Sequence, residues 1–205
     1  MVLMTILVFF SGKKINDTYQ IGDLVKDFEL KNVDGNFISM ADQPKNAGYI
    51  LVFTCNTCPW AKGYEQRIID LHNKYMAKGY PVIAIQPNDE QLQPGDSFEE
   101  MKKRSDEMEY PFPYVIDQTQ EVTLAFGARA TPQVYLVQKE SNGYYLRYIG
   151  GIDNSPRDGS KATEKWAEDA VDQLLQGKEV SNTHTKAIGC SIKWSKESKE
   201  RMAKN

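Results

Sequence analysis

Apolar positions along this chain fall into two kinds of run, and their alternation predicts an α/β protein. Tyr49 to Thr54 (YILVFT) and Pro81 to Gln86 (PVIAIQ) are short, continuous apolar stretches, the pattern of strands buried on both faces. Between them Tyr64, Ile68, Leu71 and Tyr75 recur at spacings of four, three and four. That spacing predicts an amphipathic helix running to about Lys78 and stopped by Gly79. Asp27 to Leu30 alternates polar and apolar, Val33 to Asn36 supplies turn chemistry, and Phe37 to Ser39 resumes an extended pattern, so an N-terminal hairpin is expected.

Further along, Ser97 to Met108 reads as a charged helix, with Ser97 and Glu100 in capping-box spacing. Tyr114 to Ile116 reads as a short strand, and Thr119 to Phe126 as a short helix ended by Gly127. Gln133 to Gln138 and Tyr144 to Ile149 form a second hairpin through Ser141-Asn142-Gly143. Trp166, Ala170, Val171, Leu174 and Leu175 give the last firm helix its apolar stripe, ended at Gly177. Hairpin, β-α-β, helix, strand, short helix, hairpin and helix in that order predict a sandwich with a mixed central sheet. Residues 157–160 read as a surface loop, and those after Ser195 as a frayed or weakly helical tail.

Composition changes this picture little. With 205 residues, 40% of them hydrophobic, the chain can bury one sizeable core. A net charge of -3 and no long basic run before the tail exclude a nucleic-acid partner, because phosphate binding needs a basic face. Met1 to Phe10 (MVLMTILVFF) is too short to span a bilayer but matches the hydrophobic region of an export signal. Export to the periplasm or beyond is therefore expected, without stable membrane insertion. A cytoplasmic protein with an N-terminal strand is the alternative. The expected organisation is a segment at 1–20, one domain at 21–180 and an extension at 181–205.

The three cysteines carry the candidate chemistry. Cys55-Asn56-Thr57-Cys58 stands where the first buried strand gives way to the helix. A reactive thiol must ionise near neutral pH, and the N–H groups and dipole at a helix start favour the anionic sulfur. Such sites bring a cysteine pKa down to roughly 3.5–7.5, and that shift is expected for Cys55. Cys58, one turn later, can then attack a mixed disulfide and expel the substrate. Pro59 suits the first helical turn. A zinc site drawing on Cys55, Cys58, Cys190 and His72 or His184 lacks a second paired ligand group, so neither metal nor cofactor is expected. His72 is read as a solvated helix residue. Pro132 precedes a strand pattern that would exclude it from its interior, which points to a cis Thr131–Pro132 bond beside the dithiol, with Thr131 backbone groups free to pair with an extended substrate.

These residues and their order resemble the thioredoxin-like superfamily, and within it the peroxiredoxin-like or redoxin branch (the alkyl hydroperoxide reductase/thiol-specific antioxidant type). The matching stretches are Gly22 to Leu30, Phe53 to Trp60, Gln86 to Asp89, Ser97 to Lys102, Pro111 to Tyr114, Thr131-Pro132, Gly151 to Asp153 and Gly189 to Trp194. The resemblance implies a thioredoxin-like three-layer α/β sandwich with an N-terminal hairpin and a peroxiredoxin-type insertion. It implies a thiol–disulfide oxidoreductase working through Cys55 and Cys58, with Thr131, Pro132 and Trp60 supporting substrate binding. Its partners would be a protein or small-molecule thiol or disulfide, and an upstream donor such as a thioredoxin-type reductase.

The resemblance also puts Cys58 where peroxiredoxins keep their peroxidatic cysteine, so a thiol peroxidase using Cys58 is an alternative. The family's Thr or Ser three residues earlier is here Cys55, and its activating arginine has only the displaced Arg129 as a counterpart. Disulfide exchange therefore ranks first. A non-enzymatic binding module is the third reading. Cys190, in Ile-Gly-Cys-Ser-Ile-Lys-Trp, is a possible resolving thiol for Cys55 or Cys58, or a packed thiol with no redox part.

Overall fold

The computed structural model describes residues 18–204. The apolar run at 1–10 and the export expectation built on it lie outside the described residues. Among those residues no helix is long and apolar enough to cross a membrane.

Ten strands and five helices are present among the described residues. The strands are β1 (Leu24–Val25), β2 (Leu30–Asn32), β3 (Phe37–Ile38), β4 (Gly48–Phe53), β5 (Val82–Gln86), β6 (Tyr114–Ile116), β7 (Ala130–Thr131), β8 (Gln133–Glu140), β9 (Gly143–Gly150) and β10 (Cys190–Ser191). The helices are α1 (Pro59–Tyr75), α2 (Phe98–Glu107), α3 (Glu121–Phe126), α4 (Trp166–Leu175) and α5 (Lys196–Ala203). Eight strands form one sheet in the order β1-β9-β8-β4-β5-β6-β2-β3, while β10 and β7 make a separate two-stranded ladder. β4, β5 and β6 run parallel, and β8 lies antiparallel to β4. The sheet is therefore mixed, as the order of elements predicted.

Strand β4 shows why its sequence is apolar throughout. Ile50 and Val52 point into one core with Tyr64, Ile68, Leu71 and Tyr75 of α1 and Ala170, Val171 and Leu174 of α4. Tyr49, Leu51 and Phe53 point into the other, with Phe126 of α3 and Val137 of β8. Each large side chain withdrawn from water contributes about 1.5–3 kcal/mol, so a strand feeding two cores anchors the three layers. The end of β4 is consequently a fixed platform, and the Cys55–Cys58 loop leaves from it.

Two local expectations change, and the weakly helical tail takes a defined form. His72 is buried against the Phe112 ring, 5.6 Å away, and its Nδ1 accepts the Val82 N–H at 3.2 Å. Glu65 is buried because α1 meets Arg104 of α2, and His72, four residues after Ile68 and on the same face, is buried against β5 and Phe112. Ser97 does cap α2, but its hydroxyl makes no capping bond, and Glu100 pairs with Lys103 instead of closing a box. The tail forms α5, whose first turn is capped by the Ser195 hydroxyl accepting the Ser198 N–H at 3.1 Å.

Candidate active site

The dithiol loop is held from one side by a carboxylate. Asp96, fully buried in the turn before α2, accepts the N–H groups of Asn56 and Thr57, both at 2.9 Å, through Oδ1. Its Oδ2 accepts the Thr57 hydroxyl at 3.1 Å and Asn88 Nδ2 at 2.6 Å. The Asn56 side chain is fixed as well, donating to the Gly95 carbonyl at 3.0 Å and accepting the hydroxyl of fully buried Tyr114 at 3.0 Å. These bonds use the spacer amides in a loop, so α1 begins only at Pro59, with Cys58 as its N-cap.

That geometry corrects the expected electrostatics. Cys58, not Cys55, stands at the helix start, where the orphan N–H groups and the dipole favour an anionic sulfur. Cys55 lies in the loop before it and is buried, 3% exposed. Burial pushes its thiol above the ordinary value of 9.0, and the Asp96 charge pushes it further. The Thr131 hydroxyl and the N–H groups of Cys58 and Thr57 pull the other way without overcoming that. Cys55 is therefore held as a neutral thiol, with its Sγ 3.2 Å from Thr131 Oγ1.

The opposite side of the site is made by distant parts of the chain. The Thr131–Pro132 bond is cis, the form expected from sequence. Cys58 Sγ lies 3.2 Å from the Thr131 carbonyl oxygen. Cys58 is joined to Cys190 in a disulfide that links positions 132 residues apart, with 5.9 Å between their Cα atoms. Cys190 arrives on β10, which pairs antiparallel with β7 in the register Cys190 to Thr131 and Ser191 to Ala130. The Thr131 backbone groups expected to be open to a substrate are thus taken up by the chain itself. Trp60 and Cys190 pack against the cluster of Cys55, Cys58 and Ala61, and the Arg157 guanidinium lies over the Trp60 ring at 5.8 Å. Arg129 is exposed, and its backbone N–H donates to Gln133 Oε1 at 2.9 Å.

All six residues singled out in the sequence, Cys55, Cys58, Trp60, Thr131, Pro132 and Cys190, are thus brought to one end of β4. Asp96 was not singled out. Its only sequence signal is its place in a Pro-Gly-Asp-Ser turn, and nothing in that turn reveals that it meets the dithiol loop. With Cys58 and Cys190 spent on a disulfide, no group of three His, Cys, Asp or Glu side chains converges at metal-binding distance among the described residues.

A dithiol loop at the end of a central strand, a helix behind it and a cis-proline segment beside it define a thioredoxin-like redox fold. The fold is shared with peroxidoxin BcpB of Mycobacterium tuberculosis, 15% identical, with a TM-score of 0.56 over 77% of this chain and 96% of that one. More particularly, residues 21–143 match the AhpC/TSA family, and the chain belongs to that family. An uncharacterized conserved protein from Geobacillus kaustophilus is 38% identical, with a TM-score of 0.79 over 88% of this chain and 95% of that one. A hypothetical protein from Sinorhizobium meliloti 1021 is 31% identical, with a TM-score of 0.80 over 88% and 97%. Thiol-disulfide oxidoreductase ResA from Oceanobacillus iheyensis is 26% identical over 145 residues, 67% of this chain and 71% of that protein.

Proposed function

We propose that the protein is a thiol–disulfide oxidoreductase in which Cys58 is the sulfur common to two alternative disulfides, one with Cys190 and one with Cys55. The observation that carries this reading is the position of Cys58: N-cap of α1, bonded to Cys190 and clustered with Cys55. A thiolate is the attacking species in exchange, and a stabilised thiolate is also the better leaving group, so the N-cap sulfur suits both roles. A donor dithiol attacks the more exposed Cys190 sulfur, the Cys58–Cys190 bond breaks, and Cys58 leaves as the anion; the donor's second thiol then displaces Cys190 as a free thiol, and the donor leaves as its disulfide. Reduced Cys58 then attacks a substrate disulfide, forming a mixed disulfide with one substrate sulfur and releasing the other as a thiolate. Cys55 gives up its proton and displaces the substrate thiolate, leaving Cys55 and Cys58 joined. The family membership and the similarity to ResA support this chemistry. Substrates would be protein or small-molecule disulfides, and the donor a thioredoxin-type system. The apolar run at Met1–Phe10 would place this chemistry in an exported, oxidising compartment, where such disulfides persist.

The test is reduction of insulin and of a small aryl disulfide by single variants. Cys58→Ser is expected to abolish both, and Cys55→Ser combined with Cys190→Ser to accumulate a mixed disulfide on Cys58. Full activity in Cys58→Ser would contradict the reading.

The same position of Cys58 favours one second reading, a thiol peroxidase. There a Cys58 thiolate takes the distal oxygen of a hydroperoxide, giving the alcohol and a sulfenic acid. Cys190 then condenses with the sulfenic acid, forming the disulfide and water. Peroxide-dependent oxidation of a thiol donor that is lost in Cys190→Ser would support it, and no peroxide consumption would exclude it.

A further inference from the structure

The strand that brings Cys190 to Cys58 is held unevenly. On its N-terminal side the Thr185 N–H donates to the Ile149 carbonyl at 3.1 Å, and the Gly151 N–H to the Thr185 hydroxyl at 3.0 Å. On its C-terminal side Ile192 is buried in the core, and the Lys193 carbonyl accepts the Asp89 N–H and Gln120 Nε2, both at 2.9 Å. The Lys193 N–H also donates to Asn88 Oδ1 at 2.8 Å. Between these anchors residues 186–191 cross the site as a strap, with Lys186, Ile188 and Ser191 exposed. The pairing of Cys190 and Ser191 with Thr131 and Ala130 and the Cys58 disulfide hold it down.

Gly189 shows how closely the strap fits. A Cβ at that position would collide with the Thr131 carbonyl and stand 3.1 Å from the Pro132 nitrogen. The groove along Thr131–Pro132 therefore accepts an extended strand whose cysteine pairs with Thr131 and whose preceding residue has no side chain.

From this we infer that the groove is a binding site for an extended peptide carrying a Gly-Cys pair, and that the chain's own Gly189–Ser191 occupies it as a tethered stand-in. This rests on the function proposed above and gives its substrate class. The site opens when Cys55, giving up its proton, attacks Cys58 Sγ. The Cys55–Cys58 bond forms, the Cys58–Cys190 bond breaks, and its electron pair leaves on Cys190, which takes up the proton. No external oxidant or reductant enters this step. The strap is then held only by its short β-pairing, and a substrate strand can replace it once the Cys55–Cys58 disulfide is reduced.

The test uses a protein in which Cys58 is the sole thiol (Cys55→Ser with Cys190→Ser), with and without Gly189→Val to expel the strap. The probe is a peptide with the sequence of residues 188–194, its cysteine carried as an aryl mixed disulfide, alongside a counterpart with Ala in place of Gly. Attack by Cys58 releases the aryl thiolate, which gives the rate. The Gly-Cys peptide is expected to react faster than the Ala-Cys peptide by about tenfold or more in both proteins. It is also expected to react faster where Gly189→Val has cleared the groove. Equal rates for the two peptides, with normal reaction of the simple aryl disulfide, would overturn the groove assignment alone. Failure of Cys58 to react with the simple aryl disulfide would overturn the proposed function itself.

Discussion

The two walls of the site are built by opposite means. On the Asp96 side, a buried carboxylate, three spacer donors and the Asn88 amide form a network that contains no sulfur. On the Thr131 side, the strap is held by two β-pairs and a sulfur–sulfur bond that exchange chemistry can undo. A permanent wall fixes where Cys58 sits, and a reversible wall sets what it meets. The difference teaches that Cys55 and Cys58 are not equivalent members of a dithiol. Asp96 positions the loop that makes Cys58 the N-cap, and burial, reinforced by the same charge, keeps Cys55 protonated.

The largest effect should come from removing the atom both walls share. Cys58→Ser is expected to lower disulfide reduction by at least about a thousandfold, measured as insulin reduction with a dithiol donor. Next is the reversible wall itself. Opening the Cys58–Cys190 link frees a loop of 132 residues, for which chain entropy alone gives up to about 5 kcal/mol. Urea unfolding of oxidised protein and of Cys190→Ser measures it. Equal midpoints would mean that the strap adds nothing to stability.

Breaking the permanent wall should cost less. Asp96→Ala leaves buried donors on Asn56, Thr57 and Asn88 without their acceptor, a loss of roughly 2–4 kcal/mol in the same measurement. Asp96→Asn retains an acceptor and removes the charge, so it separates packing from electrostatics. The alkylation profile of Cys55 in Asp96→Asn carrying the Cys58–Cys190 disulfide should move to lower pH, since one of the two causes raising that thiol has gone.

The smallest effects are pH-linked. With Cys58 and Cys190 joined, the folded Cys55 thiol is raised above its ordinary 9.0, so this form of the protein binds the proton more tightly folded than unfolded. The stability that Cys55 contributes is present below that value and is lost as pH rises through it; Cys55→Ala should flatten the alkaline limb. His72 has the opposite sign. Burial lowers its pKa below 6.5, so its contribution is present above 6.5 and is lost as pH falls below it.

Much of the fold was legible because strands such as YILVFT feed two cores and so need an apolar residue at every position. The stripe of Tyr64, Ile68, Leu71 and Tyr75 was legible for the same reason in helical period. His72 was misread because it lies four residues after Ile68, on the same face, where it packs on Val82 of β5 and on Phe112. The Cys55–Cys58 loop was legible as a motif, but its polarity was not. The helix start depends on which amides Asp96 removes, and Asp96 lies on another segment. Cys190 was visible as a thiol with two possible roles. Its place beside Thr131 depends on the anchors at Thr185 and Lys193, which no local pattern reveals.

The central claim is that Cys58 is the shared sulfur of two disulfides. Partial oxidation of reduced protein, acid quenching, alkylation of the free thiols and peptide mass mapping test it most directly. Two disulfide species only are expected: Cys58–Cys190 with Cys55 alkylated, and Cys55–Cys58 with Cys190 alkylated. A Cys55–Cys190 disulfide with Cys58 alkylated would contradict it.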